Sequence, residues 1–173
     1  MGWWIPRLVV PDLRIERIEQ LTQEQLTALG VRALLVDVDC TLCRYQQEEI
    51  SAQKTEWVRS TLKGGFQLCL VSNGRAGRIA RLAERLGVPF VAGALKPFAF
   101  GCRRALRKLG LAPPEAAMVG DQLFADVLAA RWVGMKSILV RPIHPEDEPW
   151  FTRMKRPLER WVLRQLEKRG SQG

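Results

Sequence analysis

The sequence predicts an α/β fold, a doubly wound parallel sheet covered by helices on both faces. Short apolar segments of β-type composition alternate with amphipathic helical patterns, an order typical of parallel sheets. Turn residues bound each segment, and two of the helical patterns stop at Gly87 and Gly110. The 173 residues are 47% hydrophobic, which is enough for a single structural domain with a buried core.

The elements follow one another in a regular order. A capping-box pattern, Thr22-x-x-Gln25, predicts a short helix that ends near Gly30. Five strands are predicted, at Ala33–Asp37, Phe66–Ser72, Pro89–Ala92, Ala116–Gly120 and Ser137–Val140. Helices are predicted between them, over Ser51–Lys63, around the apolar positions of Ile79–Leu86 and Cys102–Leu109, and over Leu123–Ala130.

We divide this domain into residues 1–32, an N-terminal segment with the short helix, residues 33–148, the core, and residues 149–173, a basic amphipathic helix. Pro157 is expected near the first turn of that last helix. Its basic row is Arg156, Arg160, Arg164 and Lys168, and its apolar row is Leu158, Val162 and Leu166 with Trp161. Either the helix lies on anionic lipid, or the apolar row packs on the domain while the basic row faces water.

The net charge of +9, from 27 Lys and Arg against 18 Asp and Glu, favours anionic partners: phosphate esters, nucleic acid or an acidic membrane surface. No apolar run approaches the roughly 20 residues that cross a bilayer. We therefore expect a cytoplasmic location, either free or peripheral at a membrane. Contact with the membrane would also involve the apolar residues near the start of the chain, namely Trp3, Trp4, Ile5, Leu8, Val9 and Val10.

Two carboxylates, Asp37 and Asp39, follow the first apolar strand two residues apart. Because strand side chains alternate, both can emerge on the same side if the extended backbone persists. Such a pair suggests metal-assisted chemistry in which one carboxylate acts as a nucleophile and the other as an acid or base. Surface loops also supply such pairs by chance, so the pair alone does not decide.

Polar residues also follow the other strands, where open parallel sheets bind ligands. Ser72 and Asn73 end the second strand, Lys96 follows the third, and Asp121 and Asp126 follow the fourth. Two of these residues have an ordinary alternative: Lys96 as a solvated surface lysine, and Asp126 as a carboxylate stabilised by a helix dipole.

The cysteine pair Cys40-x-x-Cys43 raises the alternative of a zinc or thiol redox site. A zinc site usually needs four ligands, but no second pair exists and the single histidine, His144, is far away in the sequence. Arg75 and Arg78 follow Ser72 and Asn73 closely, so they either meet a second phosphate or are ordinary exposed helix residues.

The series Asp37, Ser72, Lys96 and Asp121 is similar to the four-part signature of the haloacid dehalogenase superfamily of phosphohydrolases, and the resemblance extends over Ala33–Val140. It implies the Rossmann-like haloacid dehalogenase fold, with residues 33–148 as the phosphatase core. The two points at which family members insert a cap domain have no room for one here, so we expect a capless enzyme with an uncovered site.

The resemblance also implies residue roles. Asp37 would attack phosphorus to form an aspartyl-phosphate, and Asp39 would act as the general acid and base. Mg²⁺ would be the cofactor, held by Asp37, the main-chain carbonyl of Asp39 and Asp121, while Asp126 would complete the metal site by holding a metal-bound water or would orient Lys96. Lys96 would neutralise the transferring group. Substrate phosphate would be held by Ser72, by the amide of Asn73 and by Thr41.

Within the superfamily, the chain most resembles the capless group that contains the mitochondrial phosphatidylglycerophosphate phosphatase and its bacterial relatives. The matching segments are Pro11–Leu13, Leu34–Asp39, Val71–Asn73 and Gly120–Asp126. One departure is Cys40, where relatives often carry Asn, and its thiol makes oxidation near the site conceivable. The resemblance implies a phosphorylated substrate, a lipid headgroup, and phosphatidylglycerol as the product.

Three alternatives remain open. One is a phosphatase of soluble nucleotide or sugar phosphates. Another is a non-catalytic domain that binds phosphate. Asp39 argues against it, because it supplies an acid and base that a long-lived phosphoprotein would lack. Nucleic-acid binding ranks last because no aromatic-basic motif of a known module accompanies the positive charge.

Overall fold

A computed structural model describes residues 7–170, so the membrane expectation for Trp3, Trp4 and Ile5 lies outside the described residues. A six-stranded parallel sheet with strand order β1-β6-β5-β2-β3-β4 forms its centre. The strands are β1 (Leu13–Ile15), β2 (Ala33–Val36), β3 (Gln67–Val71), β4 (Phe90–Val91), β5 (Ala116–Gly120) and β6 (Lys136–Val140). The predicted fold class is confirmed.

The five predicted strands are all present, but the edge strand β1 was not predicted. It has only three residues, and the exposed Arg14 interrupts its two half-buried apolar side chains. Its position depends on a long-range contact: the Asp12 carboxylate accepts hydrogen bonds from the amide (2.8 Å) and hydroxyl (3.1 Å) of Ser137 in β6. The Pro11–Leu13 segment therefore anchors an edge of the sheet.

Six α-helices surround the sheet: α1 (Gln23–Ala28), α2 (Ala52–Lys63), α3 (Ala76–Leu86), α4 (Phe100–Leu109), α5 (Leu128–Val133) and α6 (Trp150–Gly170). Thr22 and Gln25 form the predicted capping box, and the Ser51 hydroxyl caps α2. Gly87 and Gly110 end α3 and α4 in the left-handed conformation. Short 3-10 turns cover Arg7–Val9, Ile18–Gln20, Pro113–Glu115 and Pro145–Asp147.

The helix predicted over Leu123–Ala130 is divided in two. Leu123–Val127 forms a π-helical turn, and α5 begins after it. π-helical turns are frequent at functional sites, and this one contains Asp126.

The last helix, α6, differs from its prediction in extent and orientation. It begins at Trp150, so Pro157 lies inside it rather than near its start. Arg156 is buried, and it therefore does not belong to a lipid-facing or solvated basic row. Val162 is also buried, with Leu166 and Trp161 partly covered, against an apolar cluster on the domain. The prediction that the apolar row packs on the domain is confirmed for these side chains, whereas Leu158 is exposed.

Apolar side chains fill both sides of the sheet. Leu34 and Val36 of β2 belong to one cluster, while Ala33 and Leu35 belong to the other. Within residues 7–170 no cap domain interrupts this arrangement, because a loop joins β2 to α2 and α3 alone joins β3 to β4. In the same range, no helix has the length and apolarity needed to span a bilayer.

Candidate active site

The strand order brings the predicted site residues together at the carboxyl edge of the sheet. Because β2 lies between β3 and β5, Asp37 lies between Ser72 and Asp121, and β4 beside β3 brings in Lys96. All four side chains are buried, although three of the four residues, Asp37, Lys96 and Asp121, are of charged types. Convergence of four polar residues from four strands supports a functional role over the alternative of solvated surface residues.

Lys96 lies between two carboxylates. Its Nζ donates to Asp37 Oδ1 and to Asp126 Oδ1, both at 2.6 Å. Burial lowers the pKa of Lys96, but Asp126 and Asp37 outweigh it and hold that pKa above the ordinary value. Lys96 is therefore a fixed positive charge beside Asp37.

Asp37, Asp121 and Asp126 form a buried group whose carboxylate oxygens, one from each, lie within 4.8 Å of one another. Burial raises the pKa of Asp37, and Lys96 opposes that effect while the neighbouring carboxylates reinforce it. Burial also raises the pKa of Asp121 to about 7, against the opposing charge of Arg156. The group has the hard oxygen donors that Mg²⁺ prefers, and it can bind a metal ion.

Gly120 and the π-helical turn position Asp126. A Cβ at Gly120 would lie 2.2 Å from the Asp126 carboxyl carbon, so only glycine lets this carboxylate approach β5. The Gln122 amide donates to the other Asp126 oxygen at 3.1 Å. In the Gly120-Asp121-Gln122 segment, Gly120 thus allows the Asp126 carboxylate to approach β5, Asp121 supplies a second carboxylate, and the Gln122 amide holds the Asp126 carboxylate in place.

Asp39 lies at the cleft with its carboxylate held by two donors. The Gln46 amide donates to Oδ1 at 2.8 Å, and the Arg78 guanidinium donates to Oδ2 at 2.5 Å. Arg78 also donates to the carbonyl of Gln47 at 2.8 Å. Arg78 is therefore not an ordinary exposed helix residue, and sequence reasoning missed its contact with Asp39.

Ser72 and Asn73 shape the loop after β3. The Ser72 hydroxyl accepts from the Gly74 amide at 2.9 Å. The Asn73 side chain accepts from the Lys96 amide at 2.9 Å and donates to the Lys96 carbonyl at 3.2 Å. This pair of bonds fixes the main chain from which Lys96 reaches Asp37.

Thr41 and Cys40 are both buried in the loop after β2. The Thr41 hydroxyl donates to Asp121 Oδ1 at 3.3 Å, and a phosphate contact for Thr41 stays a prediction. Cys40 has a φ of 62°, a left-handed conformation that Asn adopts more readily than most residues. Burial raises the pKa of its thiol, which keeps it protonated and opposes oxidation.

The zinc and redox alternatives receive no support from the described part of the chain. Its cysteines, Cys40, Cys43, Cys69 and Cys102, are buried and free of disulfides. The potential metal ligands that converge there are the three aspartates instead.

Arg156 is a site residue that sequence reasoning missed. It donates to Asp121 twice, through the main-chain oxygen at 2.7 Å and through Oδ2. Its other carboxylate partners are Glu148 and Glu159, at 3.0 Å each, and Glu159 accepts in turn from the Phe124 amide at 3.2 Å. Helix α6 is thereby bound to the carboxylate cluster, although nothing in the sequence between Asp121 and Arg156 signals the contact.

An open cleft of about 780 Å³ leads to these groups. Asp37, Asp39 and Lys96 lie in its wall, together with side chains from α3 and α6. A substrate group that enters this cleft contacts the Asp37 carboxylate, the Lys96 ammonium group and the Asp39 carboxylate.

Comparisons with known proteins agree with this geometry. A family model described as HAD-hydrolase-like matches residues 93–142, and one described as mitochondrial PGP phosphatase matches residues 4–86. The Bacillus subtilis (strain 168) protein named "Probable phosphatase YqeG" is 31% identical over 166 residues, which cover 96% of each chain. The chain belongs to the haloacid dehalogenase superfamily of phosphatases.

This haloacid dehalogenase phosphatase is also similar to one further relative and to one solved structure. The chloroplastic/mitochondrial phosphatidylglycerophosphate phosphatase 1 of Arabidopsis thaliana is 21% identical over 173 residues, 95% of this chain but 50% of that protein. The solved structure of 3-deoxy-D-manno-octulosonate 8-phosphate phosphatase from Yersinia pestis has a TM-score of 0.56 at 20% identity, covering 73% of this chain and 72% of that one. The latter shows the shared fold.

Proposed function

We propose that the protein is a Mg²⁺-dependent phosphomonoester hydrolase that uses Asp37 as its nucleophile and most readily accepts phosphatidylglycerophosphate. The observation that carries the proposal is the position of Asp37. Its side chain is buried, accepts a hydrogen bond from Lys96 at 2.6 Å, lies beside Asp121 and Asp126, and forms part of the wall of an open cleft. In this superfamily the nucleophile is an aspartate, and Asp37 is the aspartate that fits.

The charges around Asp37 fit a divalent cation. The buried charged residues of the described chain are five carboxylates, Asp37, Asp121, Asp126, Glu148 and Glu159, against two cations, Lys96 and Arg156. An excess of buried negative charge is costly unless a further cation compensates it. Asp37, Asp121, Asp126 and the main-chain carbonyl of Asp39 would hold Mg²⁺, which when bound would stabilise negative charge on the phosphoryl oxygens.

The first chemical step follows from the two carboxylates of the β2 loop. An Asp37 oxygen attacks phosphorus, and the bond from phosphorus to the ester oxygen breaks. Asp39 donates a proton to that leaving oxygen, which departs as an alcohol. The Gln46 amide and Arg78 hold the Asp39 side chain at the cleft, and for this transfer Arg78 releases Oδ2 to the proton that Asp39 delivers.

The second step restores the enzyme. Asp39 accepts a proton from water, whose oxygen attacks the phosphorus of the aspartyl-phosphate. The bond from Asp37 to phosphorus breaks, inorganic phosphate leaves, and the Asp37 carboxylate is regenerated. Throughout, Lys96 balances the charge of Asp37, and the Ser72 hydroxyl, the Asn73 amide and Thr41 orient phosphate oxygens.

The open cleft supports a large substrate over a small one. A site without a cap cannot enclose a small metabolite, but it can receive a headgroup that stays attached to a membrane. The match of residues 4–86 to the mitochondrial PGP phosphatase model favours a lipid phosphate, with the enzyme at the membrane periphery. Hydrolysis would yield phosphatidylglycerol and phosphate.

The experiment measures phosphate release from phosphatidylglycerophosphate in mixed micelles with Mg²⁺, beside a panel of soluble phosphomonoesters. The variants are Asp37→Asn and a matched control, Asp147→Asn, in the 3-10 turn Pro145–Asp147, where the carboxylate pairs with Arg44 outside the cleft lining. Lipid-selective turnover that Asp37→Asn abolishes and Asp147→Asn retains supports the proposal. Turnover of soluble esters alone overturns the lipid assignment, and no turnover by a folded protein indicates a binding role.

A further inference from the structure

Helix α6 exposes a row of large apolar side chains. Trp150, Met154 and Leu158 follow at intervals of four residues, so they lie on one face, and they are 71%, 70% and 54% exposed. Phe151 borders the row and packs edge-on against the Trp150 ring, with centroids 6.1 Å apart. Four of the nine exposed large hydrophobic side chains in the described chain thus lie within the first half of one helix.

The opposite face of α6 is fixed to the domain, so the row cannot turn inward. Thr152, Arg156, Glu159 and Val162 are buried there. Arg156 binds Asp121, Glu148 and Glu159, and Val162 packs in the apolar cluster with Leu123 and Leu139. Fixed apolar surface of this kind usually marks a place where a partner binds.

Basic side chains flank the row. Arg153, Arg160 and Arg164 are spaced so that they lie along one side of it, and Lys155 lies on the other side next to Phe151. All four are exposed. Long basic side chains beside an apolar stripe can reach anionic headgroups while the stripe enters the acyl boundary.

The row lies beside the catalytic cleft. Phe151 and Lys155 line the cleft together with Asp37 and Asp39, whereas Trp150, Met154 and Leu158 do not. A surface on which the row rests would therefore meet the cleft mouth. This is the geometry required when the reacting group stays attached to that surface.

We propose that this face of α6, the α6 docking face, binds anionic phospholipid bilayers and presents the cleft to their headgroups. It comprises Trp150, Phe151, Met154 and Leu158 with the basic residues Arg153, Lys155, Arg160 and Arg164. The proposal rests on the lipid substrate of the proposed function. It differs from the sequence-based expectation in its residues, since Arg156 and Val162 point into the domain and Trp150 and Met154 face outward. Nucleic acid would use the arginines but leave the apolar row uncovered.

The first test is co-sedimentation of the full chain with vesicles of phosphatidylcholine alone or with added phosphatidylglycerol. The triple variant Trp150→Ser, Met154→Ser, Leu158→Ser removes the row without touching the cleft lining. Phe100→Ser, which replaces an apolar side chain that is 66% exposed at the start of α4, is the matched control. We expect binding to anionic vesicles that weakens with salt and falls by roughly tenfold or more in the triple variant, but not in the control.

A second measurement separates this proposal from the proposed function. Turnover of a soluble phosphomonoester is expected to persist in the triple variant, which shows that the fold and the chemistry survive. Unchanged vesicle binding in the triple variant, or none by the wild type, overturns the docking face even if micellar lipid is hydrolysed. A concentration-dependent dimer that the triple variant loses would also overturn it, because a second copy would then cover the row. Vesicle binding without hydrolysis of phosphatidylglycerophosphate overturns the lipid substrate instead.

Discussion

Arg156 of helix α6 donates hydrogen bonds to both the main-chain oxygen and the side chain of Asp121, which follows strand β5. The two residues are 35 positions apart in the sequence. The helix that closes the described chain is therefore part of the active-site support, because it carries the cation that compensates Asp121, Glu148 and Glu159.

Replacing the Arg156 guanidinium should strongly lower the free energy of unfolding. Arg156→Gln leaves three buried carboxylates without their partner, and we expect a loss of about 3 to 5 kcal/mol in the free energy of unfolding. Urea denaturation followed by circular dichroism measures it. Arg160→Gln, at an exposed position of the same helix, should change the free energy by less than about 0.5 kcal/mol. Equal effects of the two substitutions would contradict a special role for Arg156.

Lys96 should be essential for turnover. Lys96→Met removes the charge that faces Asp37 and Asp126 at 2.6 Å, and we expect kcat/KM for a soluble phosphomonoester to fall by roughly 10²- to 10³-fold. Steady-state kinetics with excess Mg²⁺ measure the change. Lys63→Met, at the exposed end of α2, serves as the control and should retain wild-type turnover. A Lys96→Met enzyme within threefold of wild type would show that this charge contributes little.

A methyl group at Gly120 should displace Asp126. The added Cβ would lie 2.2 Å from the Asp126 carboxyl carbon, so this carboxylate must leave its place beside Lys96. For Gly120→Ala we expect loss of most activity and of about 1 to 3 kcal/mol in stability, measured by kinetics and urea unfolding. Gly77→Ala is the control for stability, because its Cβ would have no neighbour closer than 3.7 Å in α3. Its free energy of unfolding should stay the same or rise.

Stability without metal should fall as the pH rises toward 7. Burial raises the pKa of Asp121 to about 7 in the folded protein, whereas its ordinary pKa, which applies to the unfolded chain, is 3.8. The folded state thus binds more protons in this interval, so the free energy of unfolding decreases as the pH rises through it. Asp37, whose pKa burial also raises, acts in the same direction.

Added Mg²⁺ should reverse this loss, because a cation at the carboxylates replaces the protons that burial retains there. The increase in Tm on adding Mg²⁺ should accordingly be larger at pH 7.5 than at pH 5.5. Thermal unfolding in Mg²⁺ or in chelator at the two pH values measures it. Asp121→Asn should reduce the difference, and a Tm increase independent of pH in the wild type would speak against metal binding at these carboxylates.

The sequence was sufficient to predict the features that depend on local patterns. Alternation of apolar strands and amphipathic helices predicted the parallel sheet, and the capping residues and terminal glycines located several helix ends. Polar residues directly after strands predicted Asp37, Ser72, Lys96 and Asp121 as one group, because the carboxyl ends of parallel strands share an edge. The structure confirms that these four side chains converge.

Other features depend on contacts between segments far apart in the chain. Strand β1 forms because Asp12 binds Ser137, and the wide turn before α5 places Asp126 against Gly120. Arg78 reaches Asp39 from α3 across 39 positions. No local propensity encodes such contacts, so a basic residue of this kind looks like any other solvated side chain until its partner is known.

The fold class and the group of carboxylate, hydroxyl and lysine residues at the sheet edge could thus be predicted from the sequence, since periodicity and strand ends are local properties, and the superfamily followed from the resemblance of the four-part signature. The buried face of α6, in contrast, depends on contacts with distant segments of the chain. The periodicity of that helix allowed several orientations, and the carboxylates of Asp121, Glu148 and Glu159 selected the one that buries Arg156. That selection leaves Trp150, Met154 and Leu158 exposed near the cleft, because a rigid helix that buries one face must expose the other.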